Sequence, residues 1–230
     1  MLKSAIFGMS FLSVLGMSAS GQIVKRSGGY YMRLKQTKGA SYKYLLTSEA
    51  PGVKLSSPFR FTYKETVKDS GTIQVVSGPS KMNGATQGSV ESYVCHMDNQ
   101  GKPLDKENGA LGSLSGVVFA RTPQKVGQRT TMNMPVKFGD STVDVTTIHK
   151  IVGEKKVGSH KALQMEVSIS GKGTVKSGIG STGFSVTGSG IKLFDMADGH
   201  LLSSKISQTI STRSKERNMT TTNSVSIIRQ

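Results

Sequence analysis

The sequence predicts an all-β protein made of curved, mainly antiparallel sheet, and three observations carry that reading. Apolar side chains recur at every second position, turn-forming dipeptides separate the runs, and no long stretch beyond the first residues shows an apolar stripe at helical spacing. Alternation matters because successive side chains on a strand point to opposite faces, so one face packs while the other meets water.

In chain order, Tyr30, Met32 and Leu34 alternate with Tyr31, Arg33 and Lys35, and Phe59, Phe61 and Tyr63 alternate with Arg60, Thr62 and Lys64. Leu163, Met165, Val167 and Ile169 then alternate with Gln164, Glu166 and Ser168. Ile206 and Ile210 follow among small polar neighbours, and Val225 and Ile227 repeat the pattern near the end. The abundance of Thr, Ser and Val suits strands better than helices. Asn83-Gly84, Asn108-Gly109 and Asp198-Gly199 predict turns, because Asn, Asp and Gly accept positive φ. Residues 104–112 have room for one short helical turn, which their two glycines oppose.

The stretch from Tyr93 to Leu104 echoes the one from Lys192 to Leu202: strand, Met and Asp in a glycine turn, return strand near a leucine. Such an echo fits two similar β lobes, residues 21–112 and 113–230, joined at about residues 105–123; a single domain over 21–230 is the other arrangement. A chain of this length buries a sizeable core either way.

Residues 1–20 read as a signal peptide. Lys3 supplies the positive start, Ala5 to Leu15 are apolar or small, and Ser18-Ala19-Ser20 place small side chains before a cleavage point at Gly21. The apolar part is shorter than the roughly 18–20 residues that span a bilayer. The expected location is therefore periplasmic or extracellular, with no transmembrane segment in the mature chain. An outer-membrane barrel is disfavoured by Lys and Arg on the polar faces and by sparse aromatic girdles. Cys95 is the only cysteine, which excludes an intramolecular disulfide and leaves the core to hold the fold.

The net charge is +16, and loss of Lys3 with the leader takes it to +15. The excess is spread over the chain, +6 in residues 21–112 and +9 in residues 113–230. A field of this sign attracts polyanions and favours solubility.

Three short segments resemble landmarks of a group of uncharacterised secreted bacterial β-proteins. Lys38-Gly39 with Tyr42 and Tyr44 is similar to their K-G-x-x-Y-x-Y opening, and Pro123-Gln-Lys-Val-Gly127 resembles a mid-chain P-x-x-V-x-x-G segment without its tryptophan. Phe194-Asp-Met-Ala-Asp-Gly199 is similar to their late F-D-x-x-x-G hairpin. The resemblance implies an exported β-sheet protein and brings no functional residue with it.

The sequence also contains Gly178-x-Gly180-x-x-Gly183, the spacing of a dinucleotide-binding turn. That motif needs a helix opening at its last glycines, whereas Phe-Ser-Val-Thr follows here with strand alternation. The expected role of Gly171, Gly173, Gly178, Gly180, Gly183, Gly188 and Gly190 is mechanical: they let strands bend, bulge or approach closely. His96, His149, His160 and His200 share no chelating spacing, and Cys95 beside His96 projects to the other face of a strand. Tyr93, Cys95 and Met97 read as one core face. Asp140/Asp144 and Asp195/Asp198 read as carboxylates serving turns. No residue is assigned to catalysis, a cofactor or a metal.

One array suggests a contact. Arg213, Lys215 and Arg217 are two apart, and on an exposed strand they would project together at about 6–7 Å intervals to meet a polyanion. The competing role is a charged outer face that keeps an edge strand from aggregating. The expected function is an exported, non-catalytic β-protein of the bacterial cell envelope, binding an apolar ligand, a lipid or an envelope partner on a concave sheet face. The alternative is a basic surface protein that attaches to an anionic polymer such as an acidic glycan, lipopolysaccharide or nucleic acid, without specific nucleic-acid recognition. An enzyme is less favoured, because no catalytic constellation is present.

Overall fold

In a computed structural model, the described residues are 23–33, 36–67, 70–98, 100, 102, 104–105, 119–138, 141–177, 180–197, 199–214 and 218–230. No helix occurs among them; the fold is all-β and antiparallel, as expected. The strands are β1 (Ile23–Arg26), β2 (Gly29–Met32), β3 (Ser41–Ala50), β4 (Val53–Val67), β5 (Ser70–Ser77), β6 (Ser80–Met82) and β7 (Ala85–Gln87). They continue as β8 (Glu91–Asp98), β9 (Arg129–Phe138), β10 (Ser141–Val157), β11 (His160–Ser177), β12 (Gly180–Asp195), β13 (Leu201–Arg213) and β14 (Asn218–Arg229). The leader and the Asn108-Gly109 turn lie outside the described residues.

One 12-stranded sheet runs β7-β6-β4-β3-β14-β13-β12-β11-β10-β9, with β5 on β4 and β8 on β5; β1 and β2 form a separate hairpin. The sheet is not closed into a barrel. Its last strand, β14, pairs with β3, so residues from both halves of the chain share one sheet.

Pairing follows local chemistry. Asn83 and Gly84 take φ of 49° and 89° between β6 and β7, the positive-φ pair expected of a tight hairpin. The Asn83 side chain also accepts the Lys54 N–H at 2.7 Å and donates to Gly52 O at 3.0 Å, tying that turn to β4. Pro58 has no N–H to give, and it sits where β4 changes partner, from β6 at Leu55 and Ser56 to β5 from Phe59 onward. Pro135 lies on β9, an edge strand, where a missing donor is tolerated.

The strands present one buried face along most of their length. Odd positions of β10 and β11 and even positions of β12 and β13 turn inward, then odd positions of β14 and even positions of β3. A single sheet without helices buries a face only by curling over it. The core shows the curl: Met97 of β8 and Ile151 of β10, from opposite regions of the strand order, belong to one cluster with Tyr44, Phe61, Leu163 and Ile227. The β1–β2 hairpin adds Ile23, Tyr30 and Met32 to that cluster, and Tyr30 exchanges backbone hydrogen bonds with Gln124.

The glycines meet part of their expected role. Gly171, Gly173, Gly188 and Gly190 sit on the inner face of β11 and β12 in unbroken register. At Gly190 a Cβ would lie within 2.7 Å of the Ile206 Cα and closer still to the Lys205 carbonyl; at Gly173 it would lie 2.8 Å from Val143. These positions permit close approach on a tightly coiled surface. The register shifts occur elsewhere, at Ile151/Gly153, Leu193/Phe194 and Tyr63/Glu65, so the inner glycines do not mark bulges. Gly178 lies outside the described residues, and Gly183 pairs in strand within β12. Asp144 is the fourth residue of β10, within the strand; Asp140 and Asp198 lie outside the described residues.

Candidate functional site

The inner face is not uniformly apolar. Aligning the strands by register places side chains in rows across it. One row reads Ile151, Met165, Lys192, Ser204, Ile227; the next reads His149, Val167, Gly190, Ile206, Val225, Ser48; a third reads Thr147, Ile169, Gly188, Gln208, Asn223. Lys192, His149, Thr147, Ser204, Gln208, Asn223 and Ser48 are all buried. They form a polar band. On one side lies the large core cluster; on the other lie Val143, Val145, Phe184, Val186 and Ile210, buried but outside that cluster.

Within the band, partners are few. Lys192 Nζ lies 3.4 Å from His149 Nε2, reaching from β12 across β11. No carboxylate pairs with Lys192 among the described residues. Asp195, the nearest buried acid in sequence, is engaged by His160 Nδ1 at 2.6 Å and Arg229 at 3.9 Å. Ser204 Oγ, Gln208 Nε2 and both polar atoms of the Asn223 side chain are buried without a hydrogen-bond partner. Buried polar groups are ordinarily satisfied, so a cluster of unsatisfied ones marks a place that invites a function.

Electrostatics follow from burial. Removal from water lowers the Lys192 pKa to about 8. Burial, and then the neighbouring Lys192 charge, hold His149 well below its ordinary range, so it is a neutral imidazole at pH 7. The band therefore carries one cation and several neutral donors and acceptors.

The band is absent from the sequence-based expectations, although a parity count finds it. Phe184, Val186 and Phe194 fix even positions of β12 as inner, which places Lys192 inside and Ile191 outside; Ile191 is 43% exposed and Lys192 only 2%. Local hydropathy reads the opposite way, since Ile191 and Leu193 flank the lysine. The same count from Ile206 and Ile210 turns Ser204 and Gln208 inward, and from Val225 and Ile227 it turns Asn223 inward.

The expected polyanion array is described only in part. Arg213 is the exposed last residue of β13 and pairs with Asn218 at the start of β14; Lys215 and Arg217 lie outside the described residues. A second basic feature stands at the β10–β11 turn. There Glu154, Lys155, Lys156, Ser159, His160 and Lys161 line a surface depression of about 350 Å³.

Cys95 faces inward beside Tyr93 and Met97 and packs against the core, with burial pushing its thiol up to about 11. A thiol so protonated is a poor nucleophile. His96 projects outward and meets Asp105 at 3.0 Å, so the two neighbours do occupy opposite faces. Among the described residues no three His, Cys, Asp or Glu side chains converge as a metal site would require. No helix among them is long and apolar enough to cross a membrane.

No known protein-family profile matches the chain, and no curated protein is significantly similar to it in sequence.

Proposed function

We propose that the protein is an exported, non-catalytic component of the bacterial cell envelope that holds an apolar ligand or lipid against the concave face of its sheet. One observation carries this reading: an open antiparallel sheet turns one face inward along strands up to 18 residues long, and apolar side chains dominate that face. Concave apolar surface is what small-molecule sites are made of, with a few placed polar groups to orient the guest. The resemblance to uncharacterised secreted β-proteins is compatible with export and is silent on ligand.

Protein purified under native conditions should release lipid into an organic extract, detectable by mass spectrometry, and the emptied protein should enhance the fluorescence of an apolar probe. Absence of both signals would remove the reading.

A second reading, attachment to an anionic polymer, rests on the cluster of exposed Lys155, Lys156 and Lys161 at the β10–β11 turn together with the net charge. Heparin-column retention that drops when these three are changed to Ser would support it; unchanged retention would count against that turn.

A further inference from the structure

Among the described residues, the polar band holds a positive charge with no acidic partner. An ammonium has three N–H donors, and Lys192 uses them on a single long contact to His149. Ser204 stands directly opposite Lys192 on β13, and Gln208 directly opposite Asn223 on β14, each with unused capacity. Burying an unpaired charge and several unpaired polar atoms together is expensive for a fold. A guest that brings one negative charge and hydrogen-bond acceptors would satisfy the lysine and the hydroxyl in one step.

We propose that Lys192, with Ser204 and His149, receives the monoanionic head of a single-chain amphiphile of the fatty-acid class. Its tail runs along the inner face of β12 from Lys192 toward the row of Val145, Val186 and Ile210. The charge count selects a monoanion, because a dianion would leave a surplus negative charge in a buried site that offers one cation. The enclosure favours a compact carboxylate over a head with a bulky substituent, since Lys192 is only 2% exposed. The tail direction follows from packing. Toward Tyr44, Leu163 and Phe194 the core is one continuous cluster, whereas toward Val145 and Val186, past Ile169 and Gly188, the buried apolar residues belong to no large cluster. From Lys192 to Phe184 the strand runs about 26 Å, enough for a long acyl chain.

This inference rests on the apolar-ligand reading above, and the test separates the two. An apolar fluorescent probe bound to delipidated protein is displaced in parallel by oleate, by its neutral methyl ester and by a phosphatidylglycerol. For the wild-type protein, oleate should displace the probe at a concentration at least about tenfold below that of methyl oleate, and below that of the diester lipid. Lys192→Met should bring oleate to the methyl oleate level, and Lys192→Gln should do the same with a polar side chain in place. A wild-type protein that treats oleate and its ester alike overturns the head-group assignment, as does a folded Lys192→Met protein that keeps the preference. Stronger displacement by the phosphatidylglycerol overturns the carboxylate. Failure of the probe to bind at all removes the apolar-ligand reading itself.

Discussion

At the scale of single residues, Lys192 and His149 set how stability depends on pH. In the unfolded chain the lysine titrates near its ordinary 10.5, and in the fold burial brings it to about 8. Below pH 8 both states are protonated and the full burial cost, about 3 kcal/mol, stands against the fold. Between pH 8 and about 10.5 the folded protein sheds the proton while the unfolded chain keeps it, so this cost disappears as pH rises. Cys95 acts in the opposite sense above its ordinary 9.0, since the unfolded thiol ionises before the folded one. Comparing variants isolates the lysine. Lys192→Met should be more stable than wild type by roughly 1–3 kcal/mol at pH 7, a difference that closes by about pH 10.5 in urea titrations. A variant less stable than wild type at pH 7 would contradict the unpaired charge. His149 adds an acid limb: below about pH 6.5 the unfolded chain takes up a proton that the buried imidazole resists, so both proteins should lose stability toward acid.

At the scale of elements, the inner glycines and the strand parity explain what the sequence showed and what it concealed. Phe59, Phe61 and Tyr63 alternate so plainly that their burial in β4 was readable from residue type alone, and Asn83-Gly84 announced its own turn. Lys192 was not readable in that way, because a polar residue inside a curled sheet has the same spacing as one outside it. Only the register of a whole strand, anchored by Phe184 and Val186, tells them apart. His160 and Asp195, 35 residues apart, likewise meet only through the pairing of β11 with β12. The glycines give a direct test. Gly190→Ala forces a Cβ into the Lys205 carbonyl and the Ile206 backbone, groups that cannot rotate away, and should destabilise by about 2–4 kcal/mol. Gly183→Ala, in the same strand with its nearest neighbour at 3.6 Å, should be neutral or stabilising by up to about 1 kcal/mol. Equal effects at the two positions, measured by denaturant unfolding, would show that close approach is not what the inner glycines provide.

At the scale of the whole molecule, the two functional readings occupy different electrostatic environments, and salt distinguishes them. Lysines 155, 156 and 161 are exposed at one turn, and the surface as a whole carries a large positive excess. Charges in that setting are screened beyond about 8–10 Å at 0.1–0.15 M salt, and binding of a polyanion through them releases counterions. Lys192 lies beneath the sheet surface, where ions of the solvent do not reach, so a monoanionic head paired with it is held in a medium that salt barely changes. Raising sodium chloride from about 50 to 200 mM should therefore weaken heparin binding by an order of magnitude or more if several lysines take part. Over the same interval, oleate affinity should shift less than about threefold. A strong salt dependence of oleate binding would place its carboxylate at the surface lysines, and the concave face would then hold only the tail.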